Sequence, residues 1–195
     1  MNIAIVGATG NVGRKTLEVL EKKGLTLGNL YLVASSKSAG KKIHFQGKDI
    51  VVSELENFDF SKVKIAFFAA GGKISEKFAE KAAKHCLVID NSSFFRMDPD
   101  VPLIVPQVNS DALNNVKKNI IANPNCSTAQ LVIALKPLHD LFVIKRIVVS
   151  TYQSVSGAGK ASMDELIKQT KLALDGKDLS LIHIFRAHET SAYRV

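Results

Sequence analysis

The chain has 195 residues, a length that accommodates one complete domain and the start of a second. Hydrophobic residues make up 46% and charged residues 23%, a composition typical of folded globular proteins that excludes general disorder. No apolar run approaches the roughly 18 residues of a membrane span. The first seven residues lack the basic segment and the long apolar stretch of a signal peptide. We therefore expect a cytoplasmic protein with no membrane partner.

The charged residues and the cysteines exclude two further classes. The net charge is +8, but the basic residues are scattered along amphipathic segments, so we expect no nucleic-acid partner and only a modest attraction for phosphorylated small molecules. Cys86 and Cys126 are far apart and lie in different contexts. This arrangement favours reduced thiols over a disulfide framework, and it offers no metal site of the CxxC type.

Apolar strand-like runs alternate with helical periodicities from the first residue. The alternation predicts an α/β fold in which helices cover a mostly parallel, doubly wound sheet of the Rossmann type. The predicted strands are residues 2–6, 30–34, 63–70, 87–90, 120–122 and 143–153, with a short hairpin inserted at 42–53. The predicted helices include 74–84, 128–138 and 161–174, and a first helix whose single face carries Val12, Thr16, Leu17 and Leu20.

A glycine-rich turn lies between the first predicted strand and the first predicted helix. Glycines there permit a tight turn and let the backbone approach a pyrophosphate, while the helix start supplies unpaired N–H groups. The GxxGxxG spacing is a variant of the usual dinucleotide signature, and a tight connection without a ligand is the alternative. The predicted cofactor-binding residues of this turn are Gly7, Thr9, Gly10, Asn11, Val12 and Gly13.

The residues after the second predicted strand indicate which dinucleotide binds. An NAD site usually has an acidic residue there to bind the ribose 2′-hydroxyl. This chain instead has hydroxyls and an ammonium group, which suit a 2′-phosphate, so NADP is the predicted cofactor. A serine-rich surface turn is the alternative. The residues concerned are Ser35, Ser36, Lys37 and Ser38.

A second glycine-rich connection follows the strand predicted at 63–70. Because the carboxyl ends of parallel strands meet at one edge of the sheet, we expect Ala70, Gly71 and Gly72 to line the same cofactor cleft. A plain strand-to-helix connection is the alternative.

Cys126 lies in the segment Asn-Pro-Asn-Cys-Ser-Thr, just before a predicted helix. The dipole at a helix start favours a thiolate, which is the form of cysteine that attacks a carbonyl or acyl-phosphate carbon. Cys126 is therefore the predicted nucleophile, and an ordinary small residue near a helix cap is the alternative. Cys86 precedes an apolar run and is predicted to be an inert packed thiol.

Taken together, these motifs resemble the aspartate-semialdehyde dehydrogenases. The resemblance covers residues 1 to about 178. One departure is Gln107, where the family pattern more often has glutamate, and we give it no mechanistic weight. The matching segments are, in order, GATGNVG, ASSKSAGK, AAGG, NSSFFRMDPDVPLIVPQVN, NPNCST and TYQSVSGAGK, of which the last three are the most specific.

The resemblance implies roles for residues around Cys126. It makes Cys126 the catalytic nucleophile toward the β-acyl phosphate of L-aspartate and places Asn125 beside it. Arg96 would bind the phosphate or acyl-phosphate group, and Gln153 would lie near the thioester. A guanidinium matches phosphate with paired hydrogen bonds, and an amide can orient an acyl group without titrating. Spacing alone leaves open a surface arginine, a turn residue and a strand-end amide.

The same resemblance implies a complete reaction. L-aspartyl 4-phosphate acylates the cysteine, and NADPH reduces the thioester to L-aspartate 4-semialdehyde, for lysine, diaminopimelate, threonine, methionine and isoleucine synthesis. The implied enzyme is a homo-oligomer, a homodimer, that acts on small molecules. An N-acetyl-γ-glutamyl-phosphate reductase shares the fold and the thioester chemistry, although FFRMD and TYQSVSGAGK favour the aspartate enzyme. A non-catalytic NADP-binding module is the alternative from another class.

The histidines do not supply the acid-base group that thioester chemistry needs. His139 follows Cys126 by thirteen residues, roughly 20 Å along a helix at about 1.5 Å per residue. His44 falls in the predicted hairpin, and His85 ends a predicted helix. By the resemblance, the acid-base histidine belongs to a later part of the catalytic domain. We therefore expect negligible dehydrogenase activity from the chain as it stands.

The domain organisation follows from these assignments. Residues 1–125 are the predicted NADP-binding domain, and residues 126–178 are the predicted start of a truncated α+β catalytic and dimerisation domain. Residues 179–195 break the pattern, and their first part resembles the translation of a transposon-end adapter used in sequencing libraries. We expect the natural reading frame to end near residue 178, with a non-native tail after it.

Overall fold

The computed structural model describes residues 1–177, so the tail predicted at 179–195 and its two histidines lie outside the described residues. The described chain forms two compact units, of which the first is Met1–Val148 and the second begins at Val149. Neither unit tests the predicted domain boundary at residue 125, which stays a prediction.

The first unit is built on one seven-stranded sheet. In chain order its strands are β1 (Ile3–Val6), β2 (Leu30–Ala34), β3 (Lys42–Phe45), β4 (Lys48–Glu54), β5 (Ile65–Phe68), β6 (Leu87–Asp90) and β7 (Ile120–Ala122). Their spatial order is β3-β4-β2-β1-β5-β6-β7, and every pairing is parallel except that of β3 with β4. This is the predicted doubly wound α/β fold.

Helices cover both faces of this sheet. In chain order the helices are α1 (Asn11–Lys22), α2 (Gly72–Ala83), α3 (Pro106–Asn109), α4 (Cys126–Phe142) and, in the second unit, α5 (Lys160–Leu174). Within residues 1–177, no helix is both long enough and apolar enough to cross a membrane.

The core consists of two apolar clusters, one on each face of the sheet. Along β1, Ala4 and Val6 belong to one cluster and Ile5 to the other, because successive side chains of a strand point to opposite faces. Leu17 of α1 packs in the second cluster, and Phe78 of α2 packs in the first. Burial on both faces explains why the central strands are continuous apolar runs in the sequence.

The strand order reverses at β1, and this position sets the location of the site. β1 pairs with β2 on one side and with β5 on the other. The connections after β1 and β5 therefore open a crevice at the carboxyl edge of the sheet, which is where doubly wound proteins bind ligands.

The predicted hairpin at 42–53 forms, but it is not an insertion beside the sheet. Gln46 and Gly47 join β3 to β4 with positive φ angles of 46° and 77°, as expected for a two-residue hairpin turn. β4 then pairs in parallel with β2. The hairpin thus supplies β4, which extends the parallel sheet beyond β2, and only β3 is an added antiparallel edge strand.

Two predictions from the apolar pattern were wrong. Val12 does not join the buried face of α1, since its side chain is 45% exposed and Gly13 takes the buried position. The strand predicted at 143–153 does not form, and these residues pair with none of the described strands. A strand needs a neighbour to pair its backbone groups, so β-branched composition alone does not produce one.

The second unit contains a 3₁₀ turn, Val155–Ala158, followed by α5. The helix predicted at 161–174 is confirmed and begins one residue earlier. Gly159 precedes it with a φ of +93°, a conformation that favours glycine.

Candidate active site

The glycine loop between β1 and α1 is packed tightly at its two ends and open in its middle. A Cβ on Gly7 would lie 2.7 Å from the carbonyl oxygen of Ala69, and one on Gly13 would lie 2.8 Å from Ala8 Cα. A Cβ on Gly10 would meet only the Gly7 carbonyl oxygen, at 3.3 Å. Gly7 and Gly13 therefore let backbone segments touch, and Gly10 leaves an accessible surface.

The start of α1 fits the phosphates of a dinucleotide. Its N-cap is Gly10, which has no side chain to accept from the first-turn N–H groups. Such N–H groups and the positive end of the helix dipole attract an anion. Asn11 and Val12, both exposed, lie in this first turn.

The serine-rich turn after β2 contacts the glycine loop. Ser36–Ser38 forms a 3₁₀ turn, and Thr9 Oγ1 donates to Ser38 Oγ at 3.4 Å. Ser35 and Lys37 are exposed. The hydroxyls and the ammonium group predicted to select NADP therefore lie at the edge of the glycine loop.

The connection between β5 and α2 forms the other wall of the crevice. Gly71, with a φ of +87°, is the N-cap of α2, and like Gly10 it supplies no side-chain cap. A Cβ on Gly72 would lie 4.0 Å from Ser93 Oγ and from Phe94 Cβ. The start of α2 therefore lies beside the loop that follows β6, and Ala70 belongs to the short connection between β5 and α2.

Cys126 is the first residue of α4, and its side chain is exposed. Asn125 is the N-cap, and its Oδ1 accepts from the Ser127 N–H at 3.0 Å. Cys126 Sγ lies 3.7 Å from the same oxygen. Asn125 thus fixes the helix start and the environment of the thiol. The helix begins two residues earlier than predicted, which places the thiol within the first turn.

Cys86 has the opposite environment. It is buried, and its thiol donates to the Ala82 carbonyl oxygen at 3.4 Å. Burial raises the pKa of the Cys86 thiol to about 11. At neutral pH such a thiol is almost entirely protonated and is a poor nucleophile.

Arg96 is held by the backbone at the ends of two strands. Its Nε donates to the Asn123 carbonyl oxygen at 2.9 Å, and its Nη2 donates to the Asn91 carbonyl oxygen at 3.2 Å. The Asn123 side-chain amide donates to Asn91 Oδ1 at 2.6 Å. A guanidinium has five N–H donors, so further donors remain for an anion.

This anchoring places Arg96 near Cys126. Asn123, which accepts from Arg96, precedes Cys126 by three residues, and three residues span at most roughly 11 Å. Cys126 follows β7, whereas the glycine loop follows β1, and β5 and β6 lie between these two strands. At about 4.8 Å per strand, the two features lie about 14 Å apart along the sheet edge.

Gln153 and three histidines that were not expected to serve as the acid-base group complete the residues considered from the sequence. Gln153 belongs to the second unit, where it is exposed ahead of the 3₁₀ turn. His85 precedes β6 and lies at the amino edge of the sheet. His44 pairs with Asp49 on the outer hairpin at 3.0 Å. His139 lies in the last turn of α4.

The structure adds three residues that the motifs did not single out. Asn91 and Asn123 anchor Arg96, and each directly follows a strand, a position that could have identified them. Arg14 Nε donates to the Thr9 carbonyl oxygen at 3.3 Å, at the edge of the glycine loop. A basic residue in the first turn of a helix is unfavourable with the helix dipole. This unusual position of Arg14 in the sequence could have indicated that it has a function at the glycine loop.

The described residues offer no metal site, because no group of three or more His, Cys, Asp or Glu side chains among residues 1–177 could hold an ion.

Comparison with known proteins identifies the family. A family model for the semialdehyde dehydrogenase NAD-binding domain matches residues 2–116, and one for the semialdehyde dehydrogenase dimerisation domain matches residues 135–192. An aspartate-semialdehyde dehydrogenase of Rickettsia bellii is 53% identical over 172 residues, covering 87% of this chain and 51% of that protein.

Solved structures agree with these matches. Aspartate-semialdehyde dehydrogenase II of Vibrio cholerae, complexed with ASA, superimposes with a TM-score of 0.85 at 51% identity, covering 92% of this chain and 54% of that one. A probable aspartate-semialdehyde dehydrogenase of Pseudomonas aeruginosa gives a TM-score of 0.78 at 31% identity, with coverages of 92% and 54%. The chain spans about half the length of these relatives. It belongs to the semialdehyde dehydrogenase family, with an NAD-binding domain of Rossmann type and the start of a dimerisation domain.

Proposed function

We propose that this chain provides the NADP-binding and nucleophile-bearing part of an aspartate-semialdehyde dehydrogenase. The observation that carries the proposal is the exposed Cys126 thiol in the first turn of α4, near an arginine anchored to Asn123. An accessible cysteine sulfur and an oriented guanidinium are the two groups that attack on an acyl phosphate requires.

The chemistry begins at Cys126. Its thiolate attacks the C4 carbonyl carbon of L-aspartyl 4-phosphate, a carbon–sulfur bond forms, and the carbon–oxygen bond to phosphate breaks. Phosphate leaves with the electron pair, and the N–H donors of Arg96 stabilise its charge. The thioester remains on Cys126, with Asn125 beside it at the helix cap.

The second half of the reaction uses the crevice at the glycine loop. NADPH, when bound, supplies the hydride that reduces the thioester carbon. The chain's own residues would hold the cofactor: the start of α1 would bind the pyrophosphate, and Ser36, Lys37 and Ser38 would bind the 2′-phosphate. The Cys126 thiolate is released as the aldehyde, L-aspartate 4-semialdehyde, departs.

Gln153 is proposed to orient the acyl group, as the family motif implies. The dimerisation-domain match from residue 135 supports a homodimeric assembly of the whole enzyme.

The test is acylation of the cysteine. The protein is incubated with L-aspartyl 4-phosphate, and mass spectrometry of peptides locates any aspartyl group. We expect modification of Cys126 and none of Cys86, which serves as an internal control. A Cys126→Ser variant should remain unmodified, and Arg96→Lys should be modified at least about tenfold more slowly, because it loses the paired geometry.

Other outcomes would replace the proposal. Faster acylation by N-acetyl-γ-glutamyl phosphate than by aspartyl phosphate would identify the chain with the acetylated substrate instead. Binding of NADPH without any acylation by either compound would identify a cofactor-binding module that lacks this chemistry.

A further inference from the structure

Asp90 is a completely buried carboxyl group that the proposed chemistry does not use. It ends β6 and has no exposed surface. Its Oδ1 accepts from the Ser75 hydroxyl at 2.6 Å and from the Ser92 N–H at 3.1 Å, and its Oδ2 accepts from the Ser92 hydroxyl at 2.7 Å. Burying a carboxyl group is costly unless hydrogen bonds satisfy it. Asp90 is satisfied by these three bonds, and the residues that form them indicate its function.

The hydrogen bonds from Asp90 lead to the loop that carries Arg96. Ser92 Oγ, which donates to Asp90, also accepts from the Phe94 N–H at 3.1 Å. Two residues later, the guanidinium of Arg96 reaches back to the carbonyl oxygens of Asn91 and Asn123. The loop is therefore fixed at its beginning by Asp90 and at its end by the arginine contacts.

The backbone of Asp90 contributes to the same anchor. Its carbonyl oxygen accepts from the Asn123 N–H at 2.8 Å, and Asn123 is one of the two residues that hold Arg96. A single residue thus contacts both the loop that carries the guanidinium and the segment that receives it. Phe95, in the same loop, is 2% exposed and packs in the core.

We propose that Asp90 is a positioning residue for Arg96. Through Ser92 it sets the path of the loop, so that the guanidinium binds Asn91 and Asn123 and presents its other N–H groups to the anion. This inference rests on the proposed function of Arg96 as the phosphate-binding group. Asp90 does not touch the substrate, and its effect is transmitted entirely through the geometry of the loop.

Ser75 provides a matched control for Ser92. Both hydroxyls are buried, and both donate to Asp90 at nearly the same distance. Ser75 belongs to α2, however, and its hydroxyl donates to Asp90 without being part of the loop. A Ser75→Ala substitution therefore removes one bond to Asp90. It leaves the bonds that Ser92 donates to Asp90 and the bond that the Phe94 N–H donates to Ser92 Oγ.

The experiment follows the Arg96 Nε–H directly by ¹⁵N NMR of the 195-residue chain, with the signal assigned through Arg96→Lys. In the wild-type protein we expect slow solvent exchange, because the Nε–H is bonded to Asn123. In Ser92→Ala and Asp90→Asn we expect exchange to accelerate about tenfold, the factor for losing one hydrogen bond of ordinary strength. Binding of inorganic phosphate should weaken by a similar factor. Ser75→Ala should leave both quantities within about twofold of the wild type.

Thermal unfolding shows which variants remain folded. If Asp90→Asn does not fold, the Nε–H exchange of Ser92→Ala alone tests the proposal. An unchanged Nε–H in a folded Ser92→Ala overturns the proposal. So does an equal acceleration in Ser75→Ala, which would indicate general loosening of the core. If Arg96→Lys binds phosphate as well as the wild type does, the proposed function of Arg96 fails, yet the Nε–H measurement still reports on positioning.

Discussion

Gly13 lies directly against the backbone of Gly7. A Cβ on Gly13 would overlap the Gly7 carbonyl oxygen and approach Ala8 Cα to 2.8 Å, whereas a Cβ on Gly10 would lie 3.3 Å from that same carbonyl oxygen. The glycines of the loop therefore have separate functions. Gly13 lets α1 pack against the end of β1, and Gly10 keeps open the surface to which a pyrophosphate would bind.

This division predicts that two alanine substitutions affect different properties, stability in one case and cofactor binding in the other. Gly13→Ala should lower the free energy of unfolding by about 2 kcal/mol or more, since overpacking typically costs 1–3 kcal/mol. Gly10→Ala should cost less than about 1 kcal/mol in stability and should weaken NADPH binding at least about tenfold. Urea unfolding and titration of NADPH fluorescence measure the two quantities. Equal losses of stability in both variants would contradict the division.

Lys37 is predicted to select NADP through its charge. It is exposed in the 3₁₀ turn beside Thr9, where an ammonium group can attract a 2′-phosphate. Lys37→Ala should weaken NADPH binding by about tenfold at low salt, with less effect at high salt because the interaction is screened. NADH binding should not change. Lys48→Ala, an exposed lysine at the amino end of β4, is the control, and an equal loss there would indicate only an effect of net charge.

The pKa of Cys86 predicts a pH dependence of stability. Burial raises this pKa from its ordinary value of 9.0 to about 11. Between these values the unfolded chain has lost the thiol proton while the folded protein keeps it, so the unfolded state binds fewer protons. The free energy of unfolding should therefore fall as the pH rises from 9 to 11, by on the order of 1 kcal/mol. Urea unfolding of the wild type and of Cys86→Ala across this range isolates the effect, which should be absent from the variant.

Most of the sheet could be predicted from the sequence because runs of apolar residues indicate buried strands. Strands buried on both faces consist mainly of apolar residues, and this pattern locates β2, β6 and β7 at their observed bounds. The run at 143–153 is also rich in β-branched residues, yet it forms no strand. Composition measures the tendency to be buried in a sheet, but pairing requires a second strand, which the sequence of the segment does not encode.

The site was predictable only where side chains carry the signal. The Cys126 motif and the glycine turn contain residues whose chemistry is distinctive. Arg96 is instead held by backbone carbonyl oxygens of Asn91 and Asn123, and every residue has such an oxygen. The position of each asparagine directly after a predicted strand marked it as a candidate, but its contact with Arg96 depends on which strand ends meet in space and required the order of β6 and β7.

Exposed apolar side chains at the end of α4 predict self-association. Leu141 and Phe142 are 75% and 76% exposed, and adjacent exposed apolar groups favour association. The double variant Leu141→Gln and Phe142→Gln should remain monomeric at concentrations where the wild-type chain associates. Size-exclusion chromatography with light scattering measures the mass. Val51→Thr, a change at a 54% exposed position on β4, is the control and should associate like the wild type.

Acylation and turnover are predicted to separate in this chain. Cys126 is exposed at a helix start, so it should accept an aspartyl group from aspartyl phosphate. Among residues 1–177, His44 lies on the outer hairpin, His85 lies at the amino edge of the sheet, and His139 lies at the far end of α4 from Cys126. General acid-base catalysis contributes about 10²–10⁴-fold to such reactions, so NADPH formation from aspartate semialdehyde, NADP and phosphate should stay at the level of Cys126→Ser. Absorbance of NADPH measures this rate. Sustained turnover that disappears in Cys126→Ser would show that a group other than these histidines moves the proton.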